Sequence, residues 1–133
     1  MKLSEKSNQT TIIKLHIVKT LLLLEELAQF LIATILFYQL GFSWWVFPAL
    51  ILLPDLSMVG YLISPAWGAI SYNFVHHKAL GIALFLLGVY LNDPTLKASG
   101  LILYAHSSMD RIFGYGLKYS DNFKNTHLGI IGK

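Results

Sequence analysis

An all-α integral membrane protein, a bundle of four transmembrane helices with both termini in the cytoplasm, is the fold class this sequence predicts. Three observations carry that expectation. Hydrophobic residues make up 55% of the 133 residues and charged ones only 13%, about half the charged share usual in soluble domains. Four apolar stretches, each near the roughly 20 residues a bilayer demands, follow one another with short breaks. The lysines cluster outside them: Lys2, Lys6, Lys14 and Lys19 precede the first, and Lys118, Lys124 and Lys133 follow the last.

The first span is expected over Lys19–Leu40, closed by Gly41. It does not read as a cleaved signal peptide. The run Leu21 to Leu24 stops at Glu25 and Glu26, no small-x-small site follows, and the apolar pattern resumes through Tyr38. Residues 1–18 form a polar N-terminal segment, mobile over its first ten or so residues. The second span runs Ser43–Ile63, with Trp44, Trp45 and Phe47 at its start, where interfacial aromatics belong. Ser64-Pro65 closes it. The third runs Trp67–Leu91 and ends at Asn92-Asp93-Pro94. Pro94, a favourable first helical residue, opens the fourth, which reaches Gly114. Residues 19–114 thus make the membrane domain, and 115–133 a cytoplasmic tail.

Short loops make consecutive spans antiparallel. Both termini then share a side, and that side holds seven lysines against Lys97 alone opposite. The positive-inside rule makes it cytoplasmic, in an inner (cytoplasmic) membrane crossed several times. The net charge of +3 therefore marks basic membrane flanks and not a nucleic-acid surface. Cysteine is absent, so disulfides and thiolate metal sites are excluded.

Each span carries polar groups that hydrocarbon rejects: Glu25, Glu26 and Gln29; Asp55; Asn73, His76, His77 and Lys78; His106, Asp110 and Arg111. An ionised carboxylate near a span's centre costs about 2.5–3.5 kcal/mol, and each Leu or Ile returns only about 0.3–0.6. Their depths agree. At 1.5 Å per residue Glu25 lies about 9 Å in, Asp55 about 12 Å, His76 about 13 Å, and Asp110 and His106 about 6 and 12 Å. All four helices therefore place ionisable groups in one layer of the cytoplasmic half. His106 and Asp110 are four residues apart and share a helix face, as do Asn73, His76 and His77. Pro54 should break the backbone ladder just before Asp55.

In the functional reading, Asp55, His76 (or His77), His106 and Asp110 ligate a divalent metal, and Glu25 serves as ligand or general base. Imidazole with carboxylate suits Zn, Mn or Fe. Such an ion would activate water against a lipid-like or phosphorylated substrate. Asn73, His77 and Arg111 are accessory candidates. In the bland reading the same groups are interhelical glue. The tail, with Tyr115, Lys118 and Tyr119, reads as an interfacial anchor. Its sharper reading is a flap whose Lys118, Lys124 and His127 receive an anionic headgroup.

The segments Pro54-Asp55-Leu56-Ser57-Met58-Val59-Gly60-Tyr61, Tyr72-Asn73-Phe74-Val75-His76 and Ala105-His106-Ser107-Ser108-Met109-Asp110-Arg111 resemble a family of small bacterial membrane proteins. So do Gly114-Tyr115-Gly116-Leu117-Lys118-Tyr119 and Thr126-His127-Leu128-Gly129. That family is catalogued as a domain of unknown function, number 4260; it implies a four-span membrane fold and supplies no activity. A weaker resemblance, to inner-membrane metal-dependent hydrolases, rests on Leu53-Pro54-Asp55, His76-His77, His106 to Asp110, and Gly114 in that order. The Asp-x-Asp-His continuation and a His-Arg-x-x-x-His-Ser segment of those hydrolases are missing.

The leading expectation is a metal-dependent hydrolase working from the cytoplasmic side of the bilayer, with no nucleic-acid partner. Its rivals are a small proton-linked transporter or channel pivoting at Pro54, and a non-catalytic membrane partner subunit. Phosphate-binding glycine loops, a serine nucleophile elbow and a HExxH helix are absent. The oligomeric state is left open.

Overall fold

The computed structural model describes residues 2–133; the side chains of residues 2–4, Lys2 among them, lie outside what is described. Helix α1 spans Lys2–Gln39, about 57 Å at 1.5 Å per residue. The polar segment expected ahead of the first span is thus its helical continuation. Neither proline nor glycine occurs before Gly41, so nothing local stops the helix earlier. Gly41 ends it with φ +82°, a conformation open to glycine at little cost. Among the described residues α1 is the one helix long and apolar enough to cross a membrane.

The expected second span is not one helix. A five-residue α2 (Val46–Leu50) is followed by a 3₁₀-helix over Leu53–Leu62. Pro54 explains the change, because it offers no N–H to Leu50 and its ring crowds that carbonyl. Asp55 then turns its N–H to Leu52, at 3.1 Å, instead of to Ile51. The expected third span is also divided. Helix α3 covers Pro65–His76, and α4 covers Lys78–Tyr90. Between them His77 takes an extended conformation, φ −81° and ψ 118°. Ser64 caps α3 by accepting from the Trp67 N–H. Asp93 caps α5 (Pro94–Ile112), accepting from the N–H groups of Thr95 and Leu96.

Helix α5 is central and packs against α1, α3 and α4. Its contact with α4 is close enough that a Cβ on Gly100 would lie 2.4 Å from the Phe85 nitrogen, and one on Gly88 would lie 2.5 Å from that of Lys97. Small residues permit such backbone approach in apolar bundles. The core joins Ala33 and Phe37 of α1, Phe47 of α2, and Ala98, Leu101, Ile102 and Ala105 of α5. Phe37 and Phe47 meet edge to face at 5.2 Å.

After α5 the tail forms a small hairpin, β1 (Asn125–Thr126) against β2 (Gly129–Ile130), with a bridge from Thr126 to Lys118. It is an ordered cover at the end of α3 and α5.

Candidate metal centre

Pro54 begins the local chain of causes. Since Asp55 bonds Leu52, the Ile51 carbonyl has no helical partner, and the His106 ring fills the place, with Nδ1 2.6 Å from that oxygen. Four residues on, Asp110 lies on the same face of α5. From α3, the His76 ring stacks on Tyr72 at 3.7 Å, and its Nδ1 is 2.9 Å from the Tyr72 carbonyl. Asp55 enters from the first turn of the 3₁₀-helix.

Asp55, His76, His106 and Asp110 form a group that could hold a metal ion, one ligand atom from each lying within 4.8 Å of all the others. His76 and His106 are 2% and 0% exposed, so both rings are shut off from bulk water. The Nε2 atoms lie 2.9 Å apart. Asp55 Oδ1 is 3.4 Å from His76 Nε2 and 3.2 Å from His106 Nε2; Asp110 Oδ2 and Oδ1 are each 3.5 Å from the same two nitrogens in turn. A tetrahedral site with bonds of about 2.0–2.1 Å has edges of about 3.3–3.4 Å. The two separations to Asp55 Oδ1 come close to that figure; the two to Asp110 run to different oxygens, and the nitrogen pair is tighter.

Protonation makes the arrangement more pointed. A carbonyl oxygen only accepts, so each Nδ1 must carry a hydrogen, and each neutral ring presents a lone pair at Nε2. With both rings neutral, two lone pairs face each other at 2.9 Å, an arrangement that a proton on one ring or a shared metal ion reconciles. Carbonyls that fix the tautomer of a ligating histidine are a recurrent second layer of metal sites. Tyr72 adds to that layer by donating its hydroxyl to Asp110 Oδ2.

The remaining candidates fall elsewhere. Glu25 is exposed on α1 and lies outside the group, so the base or ligand role expected for it has no geometric support. Its neighbour Glu26 is half-buried, takes a hydrogen bond from Lys78 and lies 3.7 Å from Arg111 Nη1. Gln29 Oε1 accepts from Lys78 and from Tyr104 Oη. His77 is exposed at the break after α3. Asn73 holds the tail, donating to the Lys118 carbonyl at 2.8 Å and accepting from its N–H at 2.7 Å. Lys124 is exposed, and His127 Nδ1 accepts from the Leu117 N–H at 2.8 Å.

Lys118 itself is only 5% exposed. Burial pulls its ammonium below the ordinary lysine range, and the Asp110 and Asp55 carboxylates act the other way. Burial, with Arg111 nearby, also lowers His127. Sequence reasoning missed Tyr72 as a site feature, and it named Glu26, Lys78 and Arg111 without pairing them with one another. Tyr72 was within reach, because it precedes His76 by four residues and so shares its helix face.

A family model matches residues 19–131, a range containing the whole of this group. The chain belongs to that family, Domain of unknown function (DUF4260). No curated protein and no solved structure matches it.

Proposed function

We propose that this DUF4260 protein is a multi-pass membrane protein that binds one divalent metal, Zn, Mn or Fe, through Asp55, His76, His106 and Asp110, and hydrolyses a lipid-like or phosphorylated ester from the cytoplasmic side. The observation that carries the metal reading is the pair of Nε2 atoms 2.9 Å apart, with each Nδ1 held by a backbone carbonyl. Imidazole nitrogen with carboxylate oxygen is the donor set these ions prefer. An ion held by these four residues would act as a Lewis acid and, on accepting water as a further ligand, would lower that water's pKa to about 7. The chain's own part is to orient both rings, to hold Asp110 through Tyr72, and to keep the histidines out of bulk water.

The membrane reading is supported by α1 and by large apolar residues left exposed on α1, the 3₁₀-helix, α3 and α4, including Leu31, Ile35, Leu62, Ile70, Leu86 and Tyr90. A soluble monomer does not present apolar surface on this scale. Four crossings and cytoplasmic termini remain the arrangement that the lysine distribution favours. Since native cysteine is absent, single cysteines placed near residue 7 and at residue 133 report it cleanly. Both should react with an impermeant maleimide only after the cells are permeabilised.

A proton-linked carrier is the second reading, because one protonated ring would also reconcile the facing nitrogens. Elemental mass spectrometry of the detergent-purified protein separates the two. Near-stoichiometric Zn, Mn or Fe, lost in both His106→Ala and Asp110→Asn, is the expected result. Wild-type protein that stays metal-free after reloading would overturn the hydrolase and move the site to proton transfer.

A further inference from the structure

The Lys118 ammonium has aromatic neighbours and no carboxylate in direct contact. It lies 4.1 Å from the ring centroid of Phe123, 4.9 Å from Tyr72 and 5.8 Å from Tyr115. Among the described residues it donates no hydrogen bond and has no carboxylate within 4.0 Å; the ion pairs there are those of His76, Lys78, His106 and Arg111. Its main chain is nonetheless fixed, gripped by Asn73 and bridged to Thr126. Aromatic faces offset only part of what a largely buried ammonium loses in hydration, so the charge is free to take an anion that reaches it. The side chain also lines a cavity of about 300 Å³ whose walls include Asp55 and Asp110, the carboxylates of the metal group, together with Tyr72, Tyr115 and Phe123.

We infer that Lys118 is the anion-binding residue of this site and that the substrate is a phosphate ester. The inference rests on the metal reading above. With a divalent ion offsetting the two charges of Asp55 and Asp110, that group would be neutral, and the cavity would offer an anion the Lewis acidity of the ion and the one net positive charge of the ammonium. A phosphate monoester or diester carries negative charge on several oxygens and can engage both. A neutral carboxylic ester would leave the ammonium unpaired. The aromatic rings beside Nζ remove part of its water, and a lower local dielectric strengthens a charge-assisted hydrogen bond to the phosphoryl oxygen. Lys118 touches the substrate in this scheme and takes no part in bond breaking, which belongs to water at the metal.

The test is calorimetric titration of inorganic phosphate into the purified full-length protein, with and without added metal, comparing wild type, Lys118→Met and Lys118→Arg. Metal content is measured on each sample. Wild type should bind phosphate, Lys118→Met should bind at least about tenfold more weakly, as expected for loss of one charge-assisted hydrogen bond, and Lys118→Arg should keep most of the affinity. Metal content should be the same in all three. Equal phosphate affinity in wild type and Lys118→Met would overturn the inference and leave the metal centre standing. Joint loss of metal and phosphate in Lys118→Met would also overturn it, assigning Lys118 to the integrity of the group. Phosphate binding that needs Lys118 in a protein that never takes up metal would keep the anion site and sink the metal centre instead.

Lipid nanodiscs identify the source of the phosphate. Nanodiscs of phosphatidylcholine with phosphatidate that abolish the response, where phosphatidylcholine alone does not, mark a lipid headgroup. An unchanged response in both marks a soluble phosphate ester.

Discussion

The side-chain amide of Asn73 grips the main chain of Lys118 at both ends, its Oδ1 2.7 Å from the Lys118 nitrogen and its Nδ2 2.8 Å from the Lys118 oxygen. An amide side chain on α3 thereby replaces a neighbouring strand and fastens the tail over the cavity lined by Asp55 and Asp110. Asn73→Ala would remove both bonds and leave two main-chain groups unpartnered, a local loss of about 1–3 kcal/mol. Trypsin should then cut after Lys118 or Lys124 several-fold faster than in wild type, while helix content by circular dichroism stays the same. An unchanged cleavage rate would mean that the hairpin holds itself in place.

His76 and His77 are adjacent and opposite in environment, the first 2% exposed within the metal group and the second exposed at the helix break. His76→Ala should abolish metal binding, and Tyr72→Phe, which loses only the bond to Asp110, should weaken it by about 10–100-fold. His77→Ala should bind as wild type does. Competition against a chromogenic zinc chelator reads all three, and a His77→Ala defect as large as that of His76→Ala would refute the assignment of the ligand.

Glu26 and Glu25 make a second such pair. Glu26→Gln removes the carboxylate between Lys78 and Arg111 and leaves two half-buried cations facing a neutral amide. The expected destabilisation is about 1–3 kcal/mol. Glu25→Gln, on the exposed face, should stay within about 0.5 kcal/mol. Thermal unfolding in one detergent compares them, and equal shifts would argue against the ion-pair assignment.

His127 supplies a pH dependence with a definite sign. Its pKa is lowered in the folded hairpin by burial and by Arg111. The unfolded tail therefore takes up the proton first as pH falls below the ordinary histidine value of 6.5. Hairpin stability is complete above that value and declines as pH drops through it toward the lower folded pKa. Hydrogen exchange at the Leu117 amide, which donates to His127 Nδ1, should accelerate below that pH relative to its intrinsic rate. His127→Asn should lose this dependence; if it keeps it, another group is responsible.

Much of this protein was legible from its residues alone because the rules involved act over only a few positions. Gly41, Ser64-Pro65 and Asp93-Pro94 end or begin helices through backbone and capping chemistry that needs no partner. The four-residue spacing of His106 and Asp110, and the common depth of Asp55 and His76, foretold that these groups would meet. Packing decided the rest. Adjacent helical residues point about 100° apart, so whether Glu25 or Glu26 turns inward depends on where α5 lies against α1. The break at His77 accompanies two pulls in different directions, His76 toward Asp55 and His106 and Lys78 toward Glu26 on α1. Likewise, a tail rich in tyrosine and lysine suits a membrane surface until Asn73, 45 positions earlier in the chain, holds it over the site. Each of these outcomes rests on partners distant in sequence, which no pattern within a single helix can specify.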